Sequence, residues 1–189
     1  MSPEITQRPL SYVQRLEKRS TRDIHLVVIH CTELPDLATA RDWGEKIVHP
    51  ESQTGNSGHY YIDRDGSISQ WVPPDRVAHH VRSFNTHSLG IELINTGRYP
   101  DWFHSGRQQM TETYPEAQVD ALTSLLDHLV KALPKLESIT AHADLDTAVV
   151  GSSDKPGIMV RRKLDPGPLF PWGDVLEQTI LKRVSAEDL

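Results

Sequence analysis

An unbroken apolar run, Leu26-Val27-Val28-Ile29, leads directly into His30 and Cys31 and reads as a buried strand. Ser138-Ile139-Thr140-Ala141 leads in the same way into His142, and Ser88–Ile94 is a third strand-like run, interrupted by Glu92. Short strands of this kind need a sheet, and the segments between them decide which sheet. Asp65-Gly66 is a tight-turn dipeptide between His59–Ile62 and Ser67–Val72, so one antiparallel hairpin is expected, ended by Pro73-Pro74. The residues from Thr113 carry the clearest helical pattern: Val119, Leu122, Leu125, Leu126, Leu129 and Leu133 recur on one face, with Thr113 as N-cap and Pro115 in the first turn. Shorter helices are expected over 36–47 and 170–181, and long loops over 95–113 and 143–162.

Strands that alternate with helices and include one hairpin predict an α/β fold, a single-domain mixed β-sheet flanked by helices. Within it, residues 1–24 read as an N-terminal extension, 25–183 as the folded domain and 184–189 as a C-terminal tail that frays. At 189 residues the chain suits one core, since two would each be small. A formal net charge of −6 argues against a non-specific nucleic-acid binder, which carries a basic footprint. The single cysteine, Cys31, rules out an internal disulfide and a four-cysteine zinc knuckle. No stretch reads as a membrane span or a signal peptide, so a cytoplasmic monomer without membrane partners is expected.

His30, His142 and Asp165 offer two imidazoles and a carboxylate, a donor set suited to catalytic zinc with a fourth position open. Both histidines sit at strand ends, and Asp165-Pro166-Gly167-Pro168 is a stiff segment. Spacing alone also permits a plainer reading. An isolated histidine usually satisfies a local hydrogen bond, and an Asp before Pro commonly starts a turn.

Glu92 lies in an otherwise apolar run, where a carboxylate costs desolvation unless it has partners or a polar cleft. It reads either as a general base beside a metal or as an edge-strand glutamate. Lys163, two residues before Asp165, projects to the same face in an extended segment. It could stabilise an oxyanion, or simply belong to a basic loop with Arg161 and Arg162. Cys31 should face away from His30 and sit in the core, which disfavours a cysteine nucleophile. Arg82, Asn85 and His87 form a polar loop that could contact substrate or only solvent.

The blocks Val27-Val28-Ile29-His30, His59-Tyr60-Tyr61-Ile62-Asp63-Arg64-Asp65-Gly66 and Ala78-His79-His80 come first in the chain. Ser88-Leu89-Gly90-Ile91-Glu92-Leu93, Thr140-Ala141-His142 and Lys163-Leu164-Asp165-Pro166-Gly167-Pro168 follow them. As an ordered set they resemble the zinc-dependent N-acetylmuramoyl-L-alanine amidases of type 2, from about residue 25 to residue 176. The resemblance implies a type-2 amidase or peptidoglycan-recognition-like fold and cleavage of the amide between the lactyl group of N-acetylmuramic acid and L-alanine. It implies Zn2+ on His30, His142 and Asp165, with Glu92 as general base and Lys163 in catalysis. His59 is implicated in transition-state binding, and His80 in lining the substrate site, where Arg82 and Asn85 would join it. Gly58 stands where phage relatives carry a tyrosine, so that residue's role does not transfer. The implied partners are muropeptides, 1,6-anhydro forms among them, or peptidoglycan fragments. The rival reading is a peptidoglycan-binding module without catalysis, but such relatives usually lack a metal ligand.

Overall fold

The computed structural model describes residues 2–189. Its strands are β1 (Ile5–Gln7), β2 (Leu26–Cys31), β3 (Tyr60–Ile62), β4 (Ile68–Gln70), β5 (Ser88–Leu93), β6 (Ser138–Ala141), β7 (Val149–Gly151), β8 (Met159–Arg161) and β9 (Lys182–Arg183). The helices are α1 (Leu37–Gly44), α2 (Glu116–Ala132), α3 (His142–Leu145) and α4 (Trp172–Glu177). Seven strands make one sheet in the order β1-β4-β3-β5-β2-β6-β9; β7 and β8 form a separate hairpin. Within the large sheet β3 and β4 pair antiparallel and every other neighbour is parallel, the mixed sheet expected.

Alternation along β2 and β5 divides the interior into two sides. Val27, Ile29, Cys31, Leu89, Ile91 and Leu93 point to the face covered by α2, where Leu122, Leu125, Leu126 and Leu129 are buried against them. Each such side chain contributes roughly 1.5–3 kcal/mol when fully buried. On the other face Leu26 and Val28 meet Val81 and Phe84 from the loop before β5. That loop covers only part of the face. His30 and Glu92, at the C-terminal ends of β2 and β5, lie in the uncovered part.

Several boundaries differ from the sequence expectation. α2 begins after Pro115, which occupies the N-cap position, so Thr113 lies outside the helix and caps nothing. α1 is capped by the Asp36 side chain, which accepts the Thr39 N–H at 2.7 Å, but it ends at Gly44 instead of reaching Ile47. The stretch 143–162 is not a plain loop, since it holds most of α3 and the β7–β8 hairpin. The expected terminal helix is limited to Trp172–Glu177, because the chain then extends to place β9 beside β6.

Residues 2–24 are laid over the sheet. β1 adds a parallel edge strand to β4, and Leu10, Tyr12, Val13 and Leu16 are buried with Trp71 and Ala40. At the other end, the Val184 N–H donates to the Ile139 carbonyl and its own carbonyl accepts from Thr140 Oγ1. No helix is long and apolar enough to cross a membrane among the described residues.

Candidate metal centre and active-site cleft

Register builds the site. Glu92 on β5 is the partner of His30 on β2, and Ile29 is the partner of Ala141 on β6. His142 therefore follows β6 at the level of His30, and a parallel sheet delivers the two imidazoles side by side. Asp165 enters from the loop after β8, where its carbonyl accepts the Ala143 N–H at 3.0 Å.

The three donors converge. His30 Nδ1 lies 2.9 Å from His142 Nδ1 and 3.1 Å from Asp165 Oδ2, and His142 Nδ1 lies 3.0 Å from the same oxygen. All three side chains are buried, and Asp165 Oδ1 has no hydrogen-bond partner. Two lone-pair nitrogens and a carboxylate aimed at one point repel one another unless a proton or a cation stands between them. The donor types, their number and the orphaned carboxylate oxygen fit a small divalent metal with one side open. Among the described residues these three form a metal-coordinating cluster.

The three groups set one another's charge states. Burial lowers the His30 pKa to about 4, with neighbouring His142 adding to the effect, so its imidazole is neutral as a ligand must be. Burial alone would raise Asp165, but His142 beside it and hydrogen bonds from His142 and His30 hold it well below the usual carboxylate range. Glu92 Oε1 is 3.9 Å from His30 Nδ1. Burial, reinforced by Asp165, pushes the Glu92 pKa up to about 8, while Lys163 opposes the shift. A carboxyl poised near neutrality beside a metal cluster is suited to accepting and returning a proton.

Behind the cluster the protons can be assigned. His30 Nε2 lies 3.0 Å from His80 Nδ1, His80 Nε2 lies 3.2 Å from Ser88 Oγ, and that hydroxyl donates to the Phe84 carbonyl at 2.7 Å. If His30 presents its Nδ1 lone pair to a metal, its Nε2 proton goes to His80. The His80 proton then sits on Nε2 and goes to Ser88, and every donor finds an acceptor. Gly90 makes this possible, since a Cβ there would stand 2.6 Å from His80 Cγ. On the other side, His142 Nε2 is 4.0 Å from Asp146 Oδ2, and Asp146 is paired with Arg162.

The cluster opens into a cleft of about 900 Å³. Lys163, His80, Arg82 and Asn85 line it along with the three donors and Glu92. Lys163 acts electrostatically on His30, Glu92 and Asp165. Arg82 is exposed at the rim, whereas the Asn85 Oδ1 accepts the N–H groups of His80 and Val81 at 3.0 and 2.8 Å and shapes the loop. His87 lies outside the cleft, stacked on His25. His59 is also outside it. Its ring is fully buried, with Nδ1 accepting the Gly90 N–H at 3.0 Å and Nε2 3.1 Å from the Arg76 carbonyl. Arg19 Nη2 lies 2.8 Å from the same Nε2, and the ring packs edge-on to His80 at 5.5 Å. Cys31 is buried in the core on the α2 side, and burial raises its thiol well above its ordinary pKa, so it is a poor nucleophile.

Sequence reasoning did not single out Ser88, Asp146, Glu33 or Arg98. Asp146 carried a readable signal, four residues after His142 on a turn of helix. Glu33 and Arg98 pair across 65 residues, which no local pattern reveals.

Residues 20–168 match the family model described as N-acetylmuramoyl-L-alanine amidase (Amidase_2). The 1,6-anhydro-N-acetylmuramyl-L-alanine amidase AmpD of Escherichia coli (strain K12) is 31% identical over 168 residues, covering 78% of this chain and 78% of AmpD. The N-acetylmuramoyl-L-alanine amidase AmiD of the same organism is 34% identical over 122 residues, covering 60% of this chain but only 38% of AmiD. A structure of E. coli AmiD in complex with anhydro-N-acetylmuramic acid-L-Ala-D-gamma-Glu-L-Lys superposes with a TM-score of 0.65 at 26% identity, covering 90% of this chain and 63% of that one. The ectodomain complex of peptidoglycan recognition proteins LCa and LCx shares the fold, with a TM-score of 0.62 at 19% identity over 90% of this chain and 92% of that one. The sheet, the His-His-Asp cluster and these relatives lead to one conclusion: the chain belongs to the Amidase_2 family of N-acetylmuramoyl-L-alanine amidases.

Proposed function

We infer that the chain hydrolyses the amide between the lactyl group of N-acetylmuramic acid and the L-alanine of a stem peptide, with Zn2+ as its metal. The observation that carries this reading is the convergence of His30, His142 and Asp165 beside Glu92 in one cleft. His30 Nδ1, His142 Nδ1 and Asp165 Oδ2 would hold the zinc. When bound, it supplies a Lewis acid that polarises the carbonyl and acidifies water.

The remaining steps belong to the side chains. Glu92 takes a proton from the attacking water as the new carbon–oxygen bond forms. Lys163 places its ammonium beside the developing oxyanion, where a charge-assisted hydrogen bond strengthens as negative charge builds. The carbon–nitrogen bond then breaks, and Glu92 returns the proton to the departing L-alanine nitrogen. His80 orients His30, and His59 backs His80 from the interior as a positioning residue without touching substrate. Arg82 meets carboxylates of the substrate at the rim, and Asn85 fixes the loop that carries Arg82. One chain supplies every group named here, so a monomer suffices.

The match to a 1,6-anhydro-N-acetylmuramyl-L-alanine amidase over most of both chains supports 1,6-anhydro muropeptides as the substrates, and we read the chain as acting on soluble forms of them in the cytoplasm. Product analysis on anhydro-muropeptides, reducing-end muropeptides and intact sacculi tests both levels of the proposal. Release of free stem peptide, fastest from soluble anhydro forms, is expected. Equal release from sacculi would overturn the substrate preference, and binding without release would overturn the hydrolase reading.

A further inference from the structure

The row of side chains that contains Glu92 extends one strand further. Tyr61 on β3 is the register partner of Glu92, as His30 is on β2, so the three share one face and one level of the sheet. Tyr61 lines the cleft although only 5% of it is exposed. Its ring lies flat on Trp71, with centroids 3.4 Å apart and planes 17° apart, and this stack fixes where the hydroxyl points. The hydroxyl oxygen accepts the Gly58 N–H at 3.1 Å. Gly58 has no room for a side chain there, since a Cβ would meet Glu92 Cγ at 2.8 Å. The phenol therefore stands beside the Glu92 side chain with its oxygen already engaged as an acceptor.

Its proton is not engaged. No protein acceptor takes it among the described residues. A phenylalanine would keep the stack, whereas a buried donor left unpaired carries a desolvation cost. That cost is relieved when an acceptor enters from the cleft.

We propose that Tyr61 is a substrate-binding residue whose hydroxyl donates a hydrogen bond to a carbonyl or carboxylate oxygen on the side of Glu92 away from the metal cluster. The proposal rests on the amidase reading and adds a contact to it. Two strand spacings, roughly 10 Å, separate the backbones of His30 and Tyr61. The oxygen bound there thus belongs to a group next to the scissile amide, in the sugar or in the stem peptide. Anchoring that group holds the amide against Glu92, so the contact acts on turnover as well as on affinity.

Tyr61→Phe removes one oxygen and retains the ring. On a full muropeptide, kcat/KM is expected to fall about 10- to 100-fold, with metal content and the cooperativity of unfolding retained. Muramoyl-L-alanine without further stem residues and an acyl-L-alanyl peptide without the sugar locate the acceptor. The substrate on which the penalty disappears is the one that lacks it. Wild-type kcat and KM for Tyr61→Phe on the full muropeptide would overturn the proposal. If the wild type cleaved nothing, the amidase reading would fail instead, and calorimetric binding of the muropeptide to wild type and variant would still test the contact. Should the variant not fold, the Tyr61 ring resonances of 13C-tyrosine-labelled wild type must shift when muropeptide is added; unchanged resonances would overturn it.

Discussion

Arg98 grips Glu33 with two prongs of its guanidinium, Nε to Oε1 at 2.6 Å and Nη2 to Oε2 at 2.7 Å, and both side chains are buried. Arg98 also donates to Gln108 Oε1 and to the carbonyls of Trp102, Arg161 and Arg162. One ion pair thus ties the chain leaving β2 to the 95–113 loop and to the segment that enters Lys163. Buried pairs add little net stability, but breaking one strands a charge. Arg98→Met is expected to cost about 3–5 kcal/mol, and the double variant Glu33→Leu/Arg98→Met to recover much of it. Urea titration of both decides the point. A double variant no more stable than the single one would contradict it.

Glu92 is half of the proposed chemistry and little of the fold. Glu92→Gln keeps the shape of the side chain and removes its basicity. It should lower kcat about 10²–10³-fold while leaving the unfolding midpoint nearly unchanged. Near-normal turnover would assign the proton transfer to another group.

His80 makes a different kind of contribution. With the His30 Nδ1 lone pair on a metal, it accepts from His30 Nε2 and passes the hydrogen-bond chain to Ser88. His80→Ala should weaken zinc affinity by about 10–100-fold, the usual scale for losing a partner of a ligating histidine. Competition with a metal-binding dye measures this directly. An unchanged affinity would mean that His30 needs no orienting partner.

Leu126 belongs to the packing alone. It is fully buried between α2 and the sheet. Leu126→Ala should cost roughly 2–5 kcal/mol by leaving a cavity, yet molecules that remain folded should bind metal normally. A stability change near zero would show that α2 does not hold the sheet as described.

The parts of this molecule that were legible in the sequence are those with short-range signatures. The β-branched run at 26–31, the Asp65-Gly66 hairpin and the leucine periodicity of α2 form where expected, and the strand expected over 139–142 forms at Ser138–Ala141, with His142 opening α3. Boundaries were less readable because capping depends on geometry: Pro115, not Thr113, occupies the α2 N-cap position. The β7–β8 hairpin was hidden because its exposed residues Val149 and Met159 are as apolar as Val150 and Val160 beside them, so no apolar–polar alternation marks it. Within the site, residues at strand ends stood out, whereas the alignment of Tyr61, Glu92 and His30 arises only from register between strands. His59 illustrates the reverse case. Its position at the start of a strand points to the cleft face, which it shares with Tyr61, but the loop carrying His80 and the side chain of Arg19 cover that end of the face and leave it in the interior.

The central claim is that amide hydrolysis depends on a metal held by His30, His142 and Asp165. Its most direct test measures bound zinc and peptide release together for the wild type and for His30→Ala, His142→Ala and Asp165→Ala. One equivalent of zinc and full activity are expected in the wild type, with both lost in each variant and both removed reversibly by chelation. Undiminished peptide release from metal-free protein, or from any of the three variants, would contradict the account.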